Sequence, residues 1–165
     1  MKKLAVSRKT LLPLCAFALS MTSVTVMAAS DADICAARDL PALEPAAGMM
    51  YASARISQGL VFVSGQIGVD PASSAPAPDF ELQMQEALAR LERVLAQAGS
   101  SVAHIQRATV YVADPANLAT MNRLYRAFFE RHNAPLPARS LVPGLDFGNA
   151  IAFEMDVIAT QVTCD

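Results

Sequence analysis

The run Leu60-Val61-Phe62-Val63-Ser64-Gly65-Gln66-Ile67-Gly68 constrains the fold more than any other stretch of the chain. Successive side chains of a strand point to opposite faces, so four apolar residues in a row make this strand apolar on both sides. Such a strand needs cover on both faces. It then ends in a small, glycine-flanked polar patch at Ser64 and Gly65. Far downstream, Pro137-Ala138-Arg139-Ser140 presents one arginine from a proline-stiffened approach. A strand end that exposes backbone near a fixed guanidinium is a cradle for a small carboxylate. That pairing is the first expectation for a site.

Residues 1–28 read as a targeting segment. Lys2, Lys3, Arg8 and Lys9 form a positive start, Leu11 to Leu19 is apolar apart from Pro13, and Val26-Met27-Ala28 offers small residues for a signal peptidase. An uncleaved anchor would need ~20 consecutive apolar residues, and Ser20, Thr22, Ser23 and Thr25 dilute the segment. Cys15 lies within the apolar region. The expectation is a signal peptide cleaved after Ala28 and a periplasmic or secreted mature chain, with 29–48 an extended lead-in and 49–165 one domain.

Cleavage leaves 137 of the 165 residues, a single-domain length. Of the 13 basic residues, the four leading ones leave with the segment, so nine face 15 acids and the formal charge becomes −6. An acidic surface repels phosphate backbones, which argues against a nucleic-acid partner. All nine remaining basic residues are arginines, so a lysine Schiff base is excluded for the mature chain. Cys35 and Cys164, near the two mature ends, are a disulfide candidate with a structural role; two independent thiols or a bond between chains are the alternatives.

Periodicity predicts the elements. A short strand from about Tyr51, a turn at Gln58-Gly59 and the strand Leu60–Ile67 come first, followed by a loop at 70–79 rich in proline and serine. Phe80, Met84, Ala87, Leu88, Leu91 and Leu95 recur at helical spacing, with Asp79 able to cap the start and Gly99 to close the end. A strand at Ile105–Val112 stops at Asp114-Pro115. A helix over Leu118–His132 buries Leu118, Met121, Leu124, Tyr125 and Phe128. Strands follow at Arg139–Val142 and Ala150–Val162. The order β-β-α-β-α-β-β indicates an α+β fold with two helices on one face of a sheet. The two-faced strand hints that oligomerisation covers the other face.

Most familiar chemistries find no residues here. His104 and His132 are isolated and no CxxC or HxxH spacing occurs, which argues against a metal site; each histidine reads as a helix-end or surface residue. No phosphate loop, dinucleotide fingerprint or GxSxG elbow is present. Arg139 and Glu154 remain. In Ile151–Ile158 the alternation puts Ile151, Phe153, Met155 and Val157 on one face, and Glu154 and Asp156 on the other with Ala152 and Ile158. A carboxylate on a strand with apolar residues on both faces is paired, poised for chemistry or at a solvated edge.

Six blocks carry a resemblance: LVFVSGQIGVDP from Leu60, AQAGSS from Ala96, ATVYVAD from Ala108, MNRLYRAFF from Met121, HNAPLPARS from His132 and FEMDVIAT from Phe153. In this order, over about Ala42 to Thr160, they resemble the RidA (YjgF-type) enamine/imine deaminase family. The resemblance implies a chorismate-mutase-like fold, a homotrimer with sites in the clefts between subunits, and no cofactor. It assigns Arg139 to the substrate carboxylate, Glu154 to water activation, and Tyr51, Ser64, Gly65, Asn122 and the backbone of Leu141 to substrate contacts. Many members carry cysteine where Leu141 stands and proline where Met50 stands, and familiar members lack a signal peptide. The implied reaction is hydrolysis of a short 2-imino acid, or its enamine, to a 2-keto acid and ammonia. The alternative from the same resemblance is a non-catalytic trimer that binds small carboxylates or acts as a chaperone. A chorismate-mutase-type enzyme is suggested by fold alone, and a ribonuclease role sits poorly with the acidic charge.

Overall fold

A computed structural model describes residues 50–70 and 75–162. The targeting segment, the whole 29–48 lead-in, Cys35 and Cys164 fall outside the described residues. The elements are β1 (Ala54–Ser57), β2 (Leu60–Ile67), α1 (Phe80–Gln97), β3 (Ile105–Val112), α2 (Leu118–Arg131), β4 (Ala138–Pro143) and β5 (Phe153–Thr160), with 3₁₀ turns at Val102–His104 and Pro115–Asn117. The expected order is met. The last strand is shorter than periodicity alone indicates, because the chain at Asn149 and Ala150 takes positive φ and breaks the extended run.

The sheet runs β1-β2-β5-β3-β4, antiparallel except for the parallel β3–β4 pair. β5 is therefore the central strand, and the two-faced β2 lies one place in from the edge. Both helices cover one face, where Val61, Val110, Val112, Phe153, Met155 and Val157 are buried against Met84, Leu91, Leu95, Met121 and Phe129. On the opposite, open face Leu60 stays 36% exposed and Phe62 41% exposed in the single chain.

The helix ends obey local chemistry. The Asp79 carboxylate accepts from the Leu82 amide at 2.9 Å, satisfying one of the free donors of α1's first turn. At the other end Gly99 takes φ +69°, and the Ser100 amide returns to the Leu95 carbonyl at 2.9 Å. The end of α2 closes the same way with Asn133 in the left-handed position and the Ala134 amide on the Phe129 carbonyl. His132 caps α2, as expected of a helix-end residue, but its side chain is nearly buried, which the surface alternative does not provide for.

Gln83 is a buried polar residue on the inner stripe of α1. Its amide nitrogen donates to the Ala77 and Ala150 carbonyls, each at 3.0 Å, and its oxygen accepts from the Ala152 amide at 2.7 Å. One side chain thus staples the approach to α1 and the approach to β5. The described part of the 70–79 loop is pinned too, through a Val69–Pro76 bridge.

Candidate functional site: an arginine and a carboxyl on opposite faces of one sheet

β2 carries a bulge that shapes the open face. Val63 pairs with Val157 and Gln66 with Met155, so Ser64 and Gly65 together oppose the single residue Asp156. The extra residue flips the parity of the strand: Val61 and Val63 face the helices, and so does Gln66 instead of Gly65. A Cβ on Gly65 would collide with the Glu154 carboxyl, so the missing side chain is what lets that carboxyl lie across the strand. Burial raises the affinity of Glu154 for its proton, and the neighbouring Asp156 raises it further. Glu154 is thus a half-buried acid held above the usual carboxylate range.

The Ser64 hydroxyl donates to the Ala52 carbonyl at 2.8 Å, and the Ser64 amide donates to the Ser53 carbonyl at 3.0 Å. These bonds strap the incoming chain along β2. Tyr51, just before the strap, is 57% exposed.

Arg139 sits on β4 beside Ala108 of β3, whose side chain faces the helices. Side chains of paired residues share a face, so Arg139 also points to the helix side. There its guanidinium lies 4.8 Å from the centre of the Tyr125 ring, and one nitrogen donates to the Met121 sulfur at 3.7 Å. Among the described residues no carboxylate pairs with it. A ring and a thioether hold the guanidinium while leaving most of its donors uncommitted, the state needed to grip a carboxylate from outside. The Tyr125 hydroxyl is buried without a partner, and burial pushes its pKa up to about 12 even against the opposing pull of Arg139. Leu141, two residues on, shares this side and is half-buried. Asn122 is exposed on α2 next to Met121.

The expectation that the Gly65 strand end and Arg139 form one cradle is not met within a chain. Parallel pairing puts β4 at the far edge from β2, and its register turns Arg139 toward the helices while Glu154 faces away from them. Arg139 and Glu154 are two strands apart, about 10 Å across, and three residues apart along the strands, about 10 Å more, on opposite faces. The residues expected at a site form two half-sites: Arg139, Leu141 and Asn122 on the helix side, Glu154, Gly65 and Ser64 at the bulge. Tyr125 and Met121, which position Arg139, were legible only as part of an apolar helical stripe. A groove of about 570 Å³ near the first turns of α1 and α2, lined by residues such as Phe80, Leu82 and Asn117, includes none of these residues.

A profile of the family described as endoribonuclease L-PSP matches residues 42–161. The chain belongs to this family, the RidA/YjgF group. It is 38% identical over 102 residues to a 2-iminobutanoate/2-iminopropanoate deaminase of Salmonella typhimurium, covering 62% of this chain and 80% of the relative. A RutC family protein of Haemophilus influenzae is 34% identical over 118 residues, 71% of this chain and 91% of that one. Among solved structures, the YjgF gene product of E. coli aligns with a TM-score of 0.64 at 33% identity, covering 72% of this chain and 93% of that chain. E. coli TdcF with bound serine aligns with a TM-score of 0.65 at 31% identity, covering 72% and 94%. The α+β architecture is therefore that of the RidA/YjgF proteins, and relatives within the family are named as deaminases.

Proposed function

We propose that this protein is an exported enamine/imine deaminase that hydrolyses short 2-imino acids to 2-keto acids and ammonia. The observation that carries the reading is the Arg139 guanidinium, held by Tyr125 and Met121 with no acidic partner among the described residues. A planar fork with free donors suits a carboxylate through two parallel charge-assisted hydrogen bonds. The names of the curated relatives and the serine bound in TdcF support a small ligand bearing a carboxylate.

The opposite-facing half-sites support a site shared between copies. In this account the open sheet face, with Leu60 and Phe62 exposed, packs against neighbouring copies in a homotrimer. One copy contributes Arg139 and the backbone at Leu141, and the next contributes Glu154, Gly65 and Tyr51. Glu154 holds a water against the imine carbon and takes its proton as the carbon–oxygen bond forms. The carbinolamine nitrogen is then protonated, the carbon–nitrogen bond breaks, and ammonia leaves with the 2-keto acid behind. The imine is already electrophilic, so positioning and one proton shuttle are sufficient. Export, with cleavage after Ala28, places the imine source outside the cytosol.

The test uses residues 29–165 with 2-iminopropanoate generated in situ by an amino-acid oxidase and trapped by semicarbazide. The protein diverts imine from the trap in proportion to its concentration, and Arg139→Ala and Glu154→Ala each abolish diversion. After subunit exchange, an equal mixture of the two variants recovers about a quarter of wild-type activity, the statistical share of clefts with both groups intact in a cyclic assembly. No diversion by the wild type hands the reading to a carboxylate-binding trimer. Diversion without recovery in the mixture overturns the shared site.

A further inference from the structure

Glu154 stands in a row of otherwise apolar side chains. Directly paired residues share a face of the sheet, and Glu154 is paired with Ile67 of β2 on one side and with Tyr111 of β3 on the other. Tyr111 is paired in turn with Val142 of β4. The open face therefore carries the row Ile67, Glu154, Tyr111 and Val142, running across β2, β5, β3 and β4. Phe147, from the loop between β4 and β5, meets the Tyr111 ring edge to face, with centroids 6.4 Å apart and planes at 87°. Tyr111 and Phe147 are partly exposed and Val142 is exposed, so an apolar surface lies open beside the acid.

The loop that brings Phe147 there is tied down at both ends. The Gly144 amide donates to the Val112 carbonyl at 2.8 Å, and the Ala150 carbonyl accepts from the Gln83 side chain at 3.0 Å. Between them the Gly148 amide donates to the Asp146 carboxylate at 2.8 Å, and the Ile151 amide to the Gly148 carbonyl at 3.2 Å. Ala150 holds φ +59°, a conformation that is strained for alanine and persists only where its surroundings fix it. Leu60 and Phe62, the exposed residues assigned above to contacts between copies, pair with Thr160 and Ile158 toward the other end of β5. The aromatic pair is separate from that patch and lies with Glu154.

We propose that Tyr111, Phe147 and Val142 form the subsite for the substrate's side chain and favour 2-imino acids whose side chain is apolar and longer than methyl. The inference rests on the deaminase reading and adds a substrate class to it. With the carboxylate on Arg139 of one copy and the imine carbon at Glu154 of the next, the side chain is the part of the substrate left to the flanks of Glu154. Neighbouring strands lie about 4.8 Å apart, so an isobutyl group starting at Glu154 reaches the Tyr111 ring and the edge of Phe147, whereas a methyl group stops short. On the other flank the row ends at Ile67, because β1 lies along Leu60–Val63 and does not extend to it. Apolar walls around a few fixed polar groups are the usual form of a small-ligand site.

The experiment supplies the mature chain with imines made in situ by an amino-acid oxidase from leucine and from alanine, at matched rates, with semicarbazide as the trap. The wild type is expected to show a kcat/KM about 10-fold higher for the leucine-derived imine, the scale on which an apolar pocket discriminates side chains. Phe147→Ala is expected to bring that ratio close to one, and Phe147→Leu, still apolar, to keep most of it. A purely structural role lowers turnover of both imines alike. An unchanged ratio in Phe147→Ala therefore overturns the inference, as does a wild type that prefers the alanine-derived imine. If Phe147→Ala does not fold, Val142→Ser at the outer end of the row decides by the same ratio. A wild type that diverts neither imine sinks the deaminase reading, and calorimetry with the 2-keto acids then decides the subsite. Tighter binding of 4-methyl-2-oxopentanoate than of pyruvate, lost in Phe147→Ala, sustains it; equal binding overturns it.

Discussion

Two glycines, Gly65 within β2 and Gly68 just past its end, separate function from stability. At Gly65 the nearest atoms to an added methyl are those of the Glu154 side chain, a flexible group that can swing away. At Gly68 the same methyl meets the backbone of Gln83, which cannot. Gly65→Ala is therefore expected to keep a near-wild-type melting temperature while imine turnover falls on the order of 100-fold, the scale of a displaced catalytic group. Gly68→Ala is expected to lose stability instead. A Gly65→Ala variant that turns over like the wild type would remove Glu154 from the mechanism, and thermal melts beside the diversion assay read both effects.

The docking of α1 on the sheet hangs on Gln83. The phenylalanines at either end of the contact, Phe80 and Phe153, meet edge to face with centroids 6.1 Å apart, but apolar contact alone does not fix how the flanking loops run. Gln83 does, by bonding the Ala77 and Ala150 carbonyls and the Ala152 amide, which ties both flanking loops to one side chain. Gln83→Leu keeps the volume and removes all three bonds, with an expected loss of roughly 3 kcal/mol at about 1 kcal/mol for each bond. Urea unfolding checks this as a lower midpoint at unchanged slope. The exposed Arg123–Glu81 pair at 2.6 Å also links the helices, yet an ion pair in open solvent contributes ~1 kcal/mol or less and does not substitute for the staple.

Across the whole molecule, pH acts on stability through His132. It sits at the end of α2 with Nε2 3.6 Å from the Glu92 carboxylate of α1, too far for a good hydrogen bond. Burial lowers its proton affinity below the ordinary value of 6.5, Glu92 partly restores it and Arg131 lowers it again. A histidine with a depressed folded pKa contributes stability that is present above the unfolded value and is lost as pH falls through the folded one. The melting-temperature advantage of the wild type over His132→Gln is therefore expected to shrink steadily as pH drops below 6.5. An advantage that stays constant over that range would mean His132 does not charge before the domain unfolds.

How much of this was legible in advance follows from what each signal depends on. Helix and strand positions, the Asp79 cap, the Gly99 closure and the apolar face of β5 come from local periodicity and short-range backbone chemistry, which the sequence by itself carries. The six ordered blocks carried the family as well. Bulge parity was hidden: alternation continued past Val63 places Gly65 inward, and only pairing with β5 shows that Gln66 takes that place. The direction of Arg139 was hidden too, because β4 alternates Arg139 and Leu141 with Ser140 and Val142, and each set mixes polar with apolar. Its facing is decided by parallel register with β3, a non-local contact that brings Arg139 over Tyr125 and away from Glu154. The chain alone named the two groups proposed for the site; tertiary pairing put them on opposite faces, because register is set between strands and not within them.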